Sequence, residues 1–485
     1  MFEGIEELRK KLDNGKLKTK DLVDKSVESS KEVNSKCNAF VTIIDNPEIK
    51  ENKKNILSGI PYSAKDLFST KGILTTGSSN ALKDYIPFYD ATVIARLKKC
   101  GAVLTSKSAC DEFGLGGTGT TCHTGIVRNP YDENREAGGS SAGSAVAVAA
   151  GVVPFALGTD TGDSVRKPAS FCGIVGYKPT YGVIPRYGVL PFASSLDHVG
   201  VFTRSVKDAA IVVDNIKGPD GKDMTALPKM EDFASLLDGN VEGKRLFYIK
   251  EICDIRSYEN PSDELKESIK LFNEIVDKAK KLGMQVIPES IDQKILNAIQ
   301  PTYQVISCAE ATSNLSMYTG IIYGPRGNGA NINEMVKDYR AHGFSSLIKR
   351  RLVIGSYVLQ KENQERYYLN ACRVRRMIIN IFNELYTQYD GFITLASGEG
   401  APLFDGKTEV LSNEAVLENH LAIANFGGYP SITIPAGFVN NLPIGINITG
   451  KVQDDANVLN IAYALEKEIK FKGGLKWVNM KLLLV

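Results

Sequence analysis

Ser164, in the stretch GTDTGDS at 158–164, stands in a glycine- and threonine-rich bend and is a candidate nucleophile. A serine hydroxyl attacks only when a base takes its proton. His123 and His198 lie well away along the chain, but the base need not be histidine. A lysine serves if burial or nearby cations hold it neutral. Lys65, in the apolar-flanked, strand-like GIPYSAKDLF, is the candidate. Burying it requires hydrogen-bond partners. Lysines are rarely fully buried, so the residues alone also allow a solvated Lys65 or one paired with Asp66.

A second glycine-serine segment, GGSSAGS at 138–144, opens a helix. It lacks the Gly-Lys-Ser/Thr ending of a phosphate loop and the GxGxxG spacing after a strand. GTDTGDS is not the GxSxG elbow of the α/β-hydrolases. Eight cysteines, at 37, 100, 110, 122, 172, 253, 308 and 372, form no CxxC pair, and the four histidines show no HExxH spacing. This pattern predicts reduced thiols and no metal site. A formal net charge of +2 gives no general pull toward nucleic acid or membrane, so an RNA partner would be bound locally or by another chain.

These residues need a scaffold, and helix and strand signals alternate along the chain. AFVTII (39–44), AVLTSK (102–107), PFALGTD (154–160), KRLFYIK, MQVIPES, DGFITLA (390–396), SITIPAGF (431–438) and PIGINITG (443–450) read as strands. Residues 19–35, with Thr19 as N-cap, 91–101, 140–151 and 455–469 read as helices. The fold class is α/β, a central sheet covered by helices. Residues 260–390 are richer in helix, with 345–386 nearly free of breakers, and no Pro/Ser-rich linker divides the chain. The expectation is a single domain over 1–485 with a helix-rich insertion. MFEGIEELRKKLDNGK has no apolar core, and both AVAVAAGVVPFAL (145–157) and the tail KLLLV are shorter than the roughly 20 residues of a membrane span. A soluble, cytoplasmic protein without membrane contact is expected.

PYSAKD, GGSSAGSAVAVAAG, ALGTDTGDSVRKPASFCGIVGYKPTYG and FASSLDHVGVFTRSVKDAA, in this order and spacing over about 58–216, resemble the amidase signature family. Weaker agreement runs on through SCAEATSNLS and GYPSITIPAGF to about residue 468. ATVIARLKKCGAVLTSKSACDEFGLGGTG and PRYGVLPFASSLD are most similar to the glutamine-hydrolysing subunits of tRNA-dependent amidotransferases within that family. The resemblance implies the amidase-signature fold, a central mixed β-sheet covered by helices. It implies a Ser-cisSer-Lys triad: Ser164 as nucleophile, Ser140 as the bridging serine and Lys65 as base. Ser141 then reads as a backbone-bonding residue at the helix start. Backbone N–H groups of Thr161, Gly162, Asp163 and Ser164 would form an oxyanion hole. Asp160 and Arg166 read as a structural ion pair.

For a glutamine substrate the resemblance points to Arg351 for the α-carboxylate, to Tyr303 near the substrate, and to Glu418 for the α-ammonium. The residues by themselves also allow Arg351 and Glu418 on exposed helix faces and Tyr303 in the core. It further implies partner B and C subunits, with ATP and Mg²⁺ used by the partner to activate Glu-tRNA(Gln) and no cofactor in this chain. Several positions depart from the family pattern: Ala142 for a third glycine, the loops at 116–125 and 395–402, Glu418 for aspartate, and Asp163 for glycine. Aspartate tolerates unusual backbone geometry, so the Asp163 carboxylate is expected to be paired and turned away from the oxyanion. A free-standing amidase and a catalytically impaired scaffold remain open alternatives.

Overall fold

The computed structural model describes residues 3–228, 230–404 and 413–473. Eleven strands form one mixed sheet: β1 Phe40–Ile43, β2 Pro61–Lys65, β3 Val103–Ser108, β4 Phe155–Asp160, β5 Val175–Lys178, β6 His198–Thr203, β7 Arg245–Ile249, β8 Gln285–Glu289, β9 Gly391–Leu395, β10 Ser431–Val439 and β11 Leu442–Thr449. Their spatial order is β1-β3-β2-β4-β6-β5-β10-β11-β9-β7-β8. β2 runs parallel to both β3 and β4, and β7 parallel to β8 and β9; the other neighbours are antiparallel.

Side chains alternate across each strand, and the apolar residues of β4 follow that rule. Phe155 and Leu157 join the larger core, whereas Ala156 packs on the opposite face against the Ala142–Ala149 helix. Tyr62 of β2 stacks on Phe155 of β4 with ring centroids 5.3 Å apart. An aromatic pair of this kind contributes about 0.5–1.5 kcal/mol beyond its buried area, and it supports the parallel register that brings Lys65 and Thr159 to the same end of the sheet.

The short helix Ala142–Ala149 lies close against β3 because Gly143 has no side chain. A Cβ there would stand 2.1 Å from the Ala39 carbonyl oxygen and 2.7 Å from the Ala109 nitrogen. The Ser144 hydroxyl donates to the Leu157 carbonyl at 2.9 Å and meets the Ser108 hydroxyl at 2.6 Å. The start of this helix therefore sits at the carboxyl ends of β2, β3 and β4, the position where open α/β sheets place their sites.

The helix-rich part holds the helices Asp263–Lys281, Gln293–Asn314, Ile332–Gly343, Ser346–Val358 and Asn370–Leu385. The segment from 345, nearly free of breakers, is helical with one break, after Val358, and resumes at Lys361. β5 and β6 were not legible as strands, since their residues lie inside the motif segments. Thr19 is the first residue of its helix, not the cap; its hydroxyl donates to Glu51. The tail KLLLV lies outside the described residues. Among the described residues no helix is long and apolar enough to cross a membrane, and no group of three or more His, Cys, Asp or Glu could hold a metal ion.

Candidate active site

Lys65, at the end of β2, is fully buried. Its Nζ donates to Ser140 Oγ at 2.7 Å, Ser141 Oγ at 2.9 Å and Thr159 Oγ1 at 2.8 Å. Burial pushes its pKa down to about 8, against the opposing pull of Cys110, Asp111, Asp160 and Asp197. The alternatives of a solvated lysine and of pairing with Asp66 are both overturned. Adjacent strand residues face opposite ways, and Asp66 lies 3.4 Å from the buried Lys107 of β3. Asp66 also accepts from the backbone N–H of Thr76 at 2.9 Å and of Ser78 at 3.2 Å.

Ser140 follows a cis Gly139–Ser140 peptide bond. Its carbonyl accepts from the Asp111 N–H at 3.0 Å. Asp111 in turn gathers the loop after it, accepting from the N–H groups of Thr118, Gly119 and Thr121 at 3.2, 3.0 and 3.2 Å. Ser141 does bond backbone, but not as a helix cap. Its hydroxyl donates to the Thr159 carbonyl at 3.0 Å and accepts from the Thr159 N–H at 3.3 Å, tying the helix start to β4.

The bend after β4 is held from below by Asp160 and Arg166, both fully buried. Arg166 donates to Asp160 through Nε at 3.0 Å and Nη2 at 2.9 Å, and to the Gly162 carbonyl at 2.8 Å. Asn425 bonds both partners, at 2.7 Å to Arg166 and 2.9 Å to Asp160. Burial alone would raise the Asp160 pKa; the Arg166 guanidinium overcomes this and holds it low. On the other side, the Thr161 hydroxyl donates to Asp197 at 2.7 Å. With its side chains pinned this way, the backbone N–H groups of Thr161, Gly162, Asp163 and Ser164 donate to no described residue. Ser164 is 3% exposed and its hydroxyl makes no hydrogen bond with a described residue.

Tyr303, on the Gln293–Asn314 helix, covers the bend: a Cβ on Gly162 would lie 3.0 Å from its ring. Burial pushes the Tyr303 phenol pKa up, and the Arg351 guanidinium opposes that shift. Arg351, on the neighbouring Ser346–Val358 helix, is not on an exposed face. Its Nε and Nη1 are buried with no hydrogen-bond partner among the described residues. Glu418 is also half-buried. Its Oε1 accepts from the Ser397 hydroxyl at 2.7 Å and the Gly398 N–H at 2.9 Å, while Oε2 lies 3.1 Å from Lys167 Nζ. Asp163 is likewise paired with Lys167, at 3.3 Å. A cavity of about 250 Å³ has Thr159, Thr161, Phe192, Asp197 and His198 among its walls; Ser164, Tyr303, Arg351 and Glu418 do not line it.

A family model, Amidase, matches residues 21–459. The chain belongs to the amidase family. Two similar members are A subunits of glutamyl-tRNA(Gln) amidotransferases. That of Pelagibacter ubique is 39% identical over 87% of this chain and 86% of its own. That of Thermoanaerobacter pseudethanolicus is 38% identical over 96% of each. The solved structure of the corresponding protein from Thermotoga maritima superposes with a TM-score of 0.76 at 35% identity, covering 93% of this chain and 94% of that one. Peptide amidase from Stenotrophomonas maltophilia shares the fold of the family, with a TM-score of 0.81 at 23% identity over 98% of each chain.

Sequence reasoning missed three members of the site. Thr159 and Ser141 complete the shell of Lys65, and nothing in their spacing marks them as its partners. Lys167 was legible in principle, since Asp163 and Lys167 are four residues apart at a helix start.

Proposed function

We propose that this chain is the glutamine-hydrolysing subunit of a tRNA-dependent amidotransferase, acting through Ser164, Ser140 and Lys65. The observation that carries the reading is the shell around Lys65. The Ser141 proton is committed to the Thr159 carbonyl, so Ser141 can only accept from Lys65. A neutral Lys65 donates its two protons to Ser141 and Thr159 and keeps its lone pair for the hydroxyl of Ser140. Ser140, whose hydroxyl has no other partner among the described residues, passes its proton to Lys65 as it receives that of Ser164. Burial supplies the lowered pKa that lets lysine act as a base near neutrality.

Ser164 Oγ then bonds to the side-chain amide carbon of glutamine, and the carbonyl electrons move to oxygen. The N–H groups of Thr161, Gly162, Asp163 and Ser164 receive that oxyanion. When the carbonyl re-forms, the C–N bond breaks and the proton on Lys65 returns through Ser140 to the leaving nitrogen. Ammonia departs, and water activated by the same relay cleaves the acyl ester to glutamate. The two unpartnered nitrogens of Arg351, Nε and Nη1, suit a carboxylate, and Tyr303 closes the space over Gly162. Glu418 together with Asp163 outweighs Lys167 by one negative charge, which suits the substrate ammonium.

The names of the similar proteins support partner subunits and Glu-tRNA(Gln) as the ammonia acceptor. In this reading B and C subunits complete the assembly, ATP and Mg²⁺ act on the partner, and this chain holds no cofactor. Eight free thiols suit a reducing, cytoplasmic compartment. One observation favours a second reading: Glu418 is already engaged by Lys167, Ser397 and Gly398, which also suits a free-standing amidase whose small amide substrate carries no ammonium. Ammonia release from glutamine is measured for the chain alone and with B and C subunits, ATP, Mg²⁺ and Glu-tRNA(Gln). Release that requires the full assembly is expected. Equal hydrolysis of simple amides by the isolated chain would overturn the amidotransferase reading.

A further inference from the structure

The residue before the nucleophile is an acid, placed where negative charge would develop on a bound carbonyl. Its carboxylate would oppose that charge if left unpaired. Asp163 Oδ2 lies 3.3 Å from Lys167 Nζ, and the Lys167 N–H donates to the Asp163 carbonyl at 2.9 Å. The same helical turn that starts the Arg166–Phe171 helix thus delivers the lysine to the acid. Lys167 is anchored from its far side as well, by Glu418 Oε2 at 3.1 Å and by the Glu418 carbonyl. Only 12% of its side chain is exposed, so the contact is sheltered from solvent and salt.

The neighbouring charges do not offer Asp163 another partner. Arg166 is spent on Asp160, the Gly162 carbonyl, the Leu421 carbonyl and Asn425. Glu136, which also feels Lys167 and Glu418, is itself an acid, pushed up to about 8 chiefly by burial.

We propose that Lys167 is a positioning residue that makes Asp163 compatible with the oxyanion hole, by holding its carboxylate away from the reacting oxygen and offsetting part of its charge. The inference rests on the reading of 161–164 as an oxyanion hole, but not on glutamine as the substrate. Lys167 touches no reacting atom; it acts through Asp163. Its loss is therefore harmful only while residue 163 carries a negative charge. A lysine kept merely for packing or for Glu418 would be missed whatever stands at 163.

The test reads Ser164 directly. The full chain is treated with phenylmethanesulfonyl fluoride, which forms an Oγ–S bond at Ser164 and releases fluoride, with the proton taken by the base. Intact mass follows the rate. We expect Lys167→Gln to label at least tenfold more slowly than wild type and Lys167→Arg to stay within threefold. Asp163→Asn combined with Lys167→Gln keeps the N–H at 163 and is expected to recover most of the loss. That double variant, prepared directly, decides the matter even if Lys167→Gln alone does not fold. A double variant as slow as the single one, or a Lys167→Gln variant as fast as wild type, overturns the inference; so does a wild-type chain in which Ser164 is not labelled. Glutamine turnover is measured separately, so failure of the amidotransferase reading shows there and not in the labelling.

Discussion

Lys65 Nζ lies 2.7 Å from Ser140 Oγ, with the lysine fully buried at the end of β2 and the serine at the mouth of the Ala142–Ala149 helix. One lysine and three hydroxyls thus form a polar shell at a buried sheet end that also holds the Asp66–Lys107 and Asp160–Arg166 pairs. Whether the amine is charged decides what it can do, and burial is the force that sets this.

Lys65 must be neutral to accept a proton. Its pKa is lowered to about 8, so below that pH most chains carry it protonated and the base is absent. We expect kcat/KM for amide hydrolysis to rise about tenfold per pH unit up to pH 8 and to level off above it. A Lys65→Arg variant stays charged at every working pH and should lose at least about a thousandfold in rate, in line with loss of a triad member. A pH–rate profile of the wild-type assembly checks the first expectation, and single-turnover assays the second.

Ser164→Ala removes the proposed nucleophile and nothing that packs. Ammonia release should fall to the background of glutamine in buffer, while assembly with B and C subunits survives. Size-exclusion chromatography and an ammonia assay on the same preparation read both. Residual activity equal to wild type would remove Ser164 from the mechanism.

Arg351 has two buried nitrogens, Nε and Nη1, without a partner among the described residues, a costly state that a bound carboxylate would relieve. Arg351→Ala is expected to raise KM for glutamine by at least tenfold, with a smaller change in kcat. Arg351→Lys should not restore it, because an ammonium cannot reproduce the planar fork. Steady-state kinetics with glutamine, against a small amide that lacks the carboxylate, separates this from a general defect.

Asp160 and Arg166 are a buried, mutually satisfied pair. Removing one partner leaves the other charge uncompensated, at a cost of about 3–5 kcal/mol. Arg166→Ala should therefore lower the melting temperature markedly and abolish activity, because the Gly162 carbonyl and the bend lose their support. The pH sign follows from the lowered Asp160 pKa. The stability it contributes is complete above its unfolded value of about 3.9 and is lost as pH falls through the lower folded value. Thermal unfolding of wild type and variant, from pH 7 down into the acid range below pH 3, checks both points.

Gly143→Ala tests the approach of helix to strand. The new methyl would lie 2.1 Å from the Ala39 carbonyl oxygen, a backbone atom that cannot swing aside. Overpacking of this kind costs about 1–3 kcal/mol or more. The variant should unfold at lower denaturant and lose activity, since the helix start carries Ser140 and Ser141.

Much of this protein was legible in its residues. Apolar and β-branched runs marked eight of the strands, and the apolar flanks of Lys65 a ninth, because a strand packed into the core must supply apolar side chains there. The glycine-serine segments offered a hydroxyl nucleophile and Lys65 a candidate base, but the residues alone left Lys65 open to a solvated or Asp66-paired state, and it was the resemblance to the amidase signature family that implied the triad. β5 and β6 escaped, because sheet pairing overrides the weak local signal of VGYK and HVGVFT.

What only the tertiary structure decided is which charges meet. Lys65 and Asp66 are neighbours in sequence, yet the strand sends them to opposite faces, one to three hydroxyls and the other to Lys107. Glu418 and Asp163 are far apart in the chain, yet share Lys167. Residue types and short spacings state which chemistry is available. The partners of Lys65, and those that Lys107 and Lys167 give to Asp66 and Glu418, come from elements distant in sequence, where no local rule reaches.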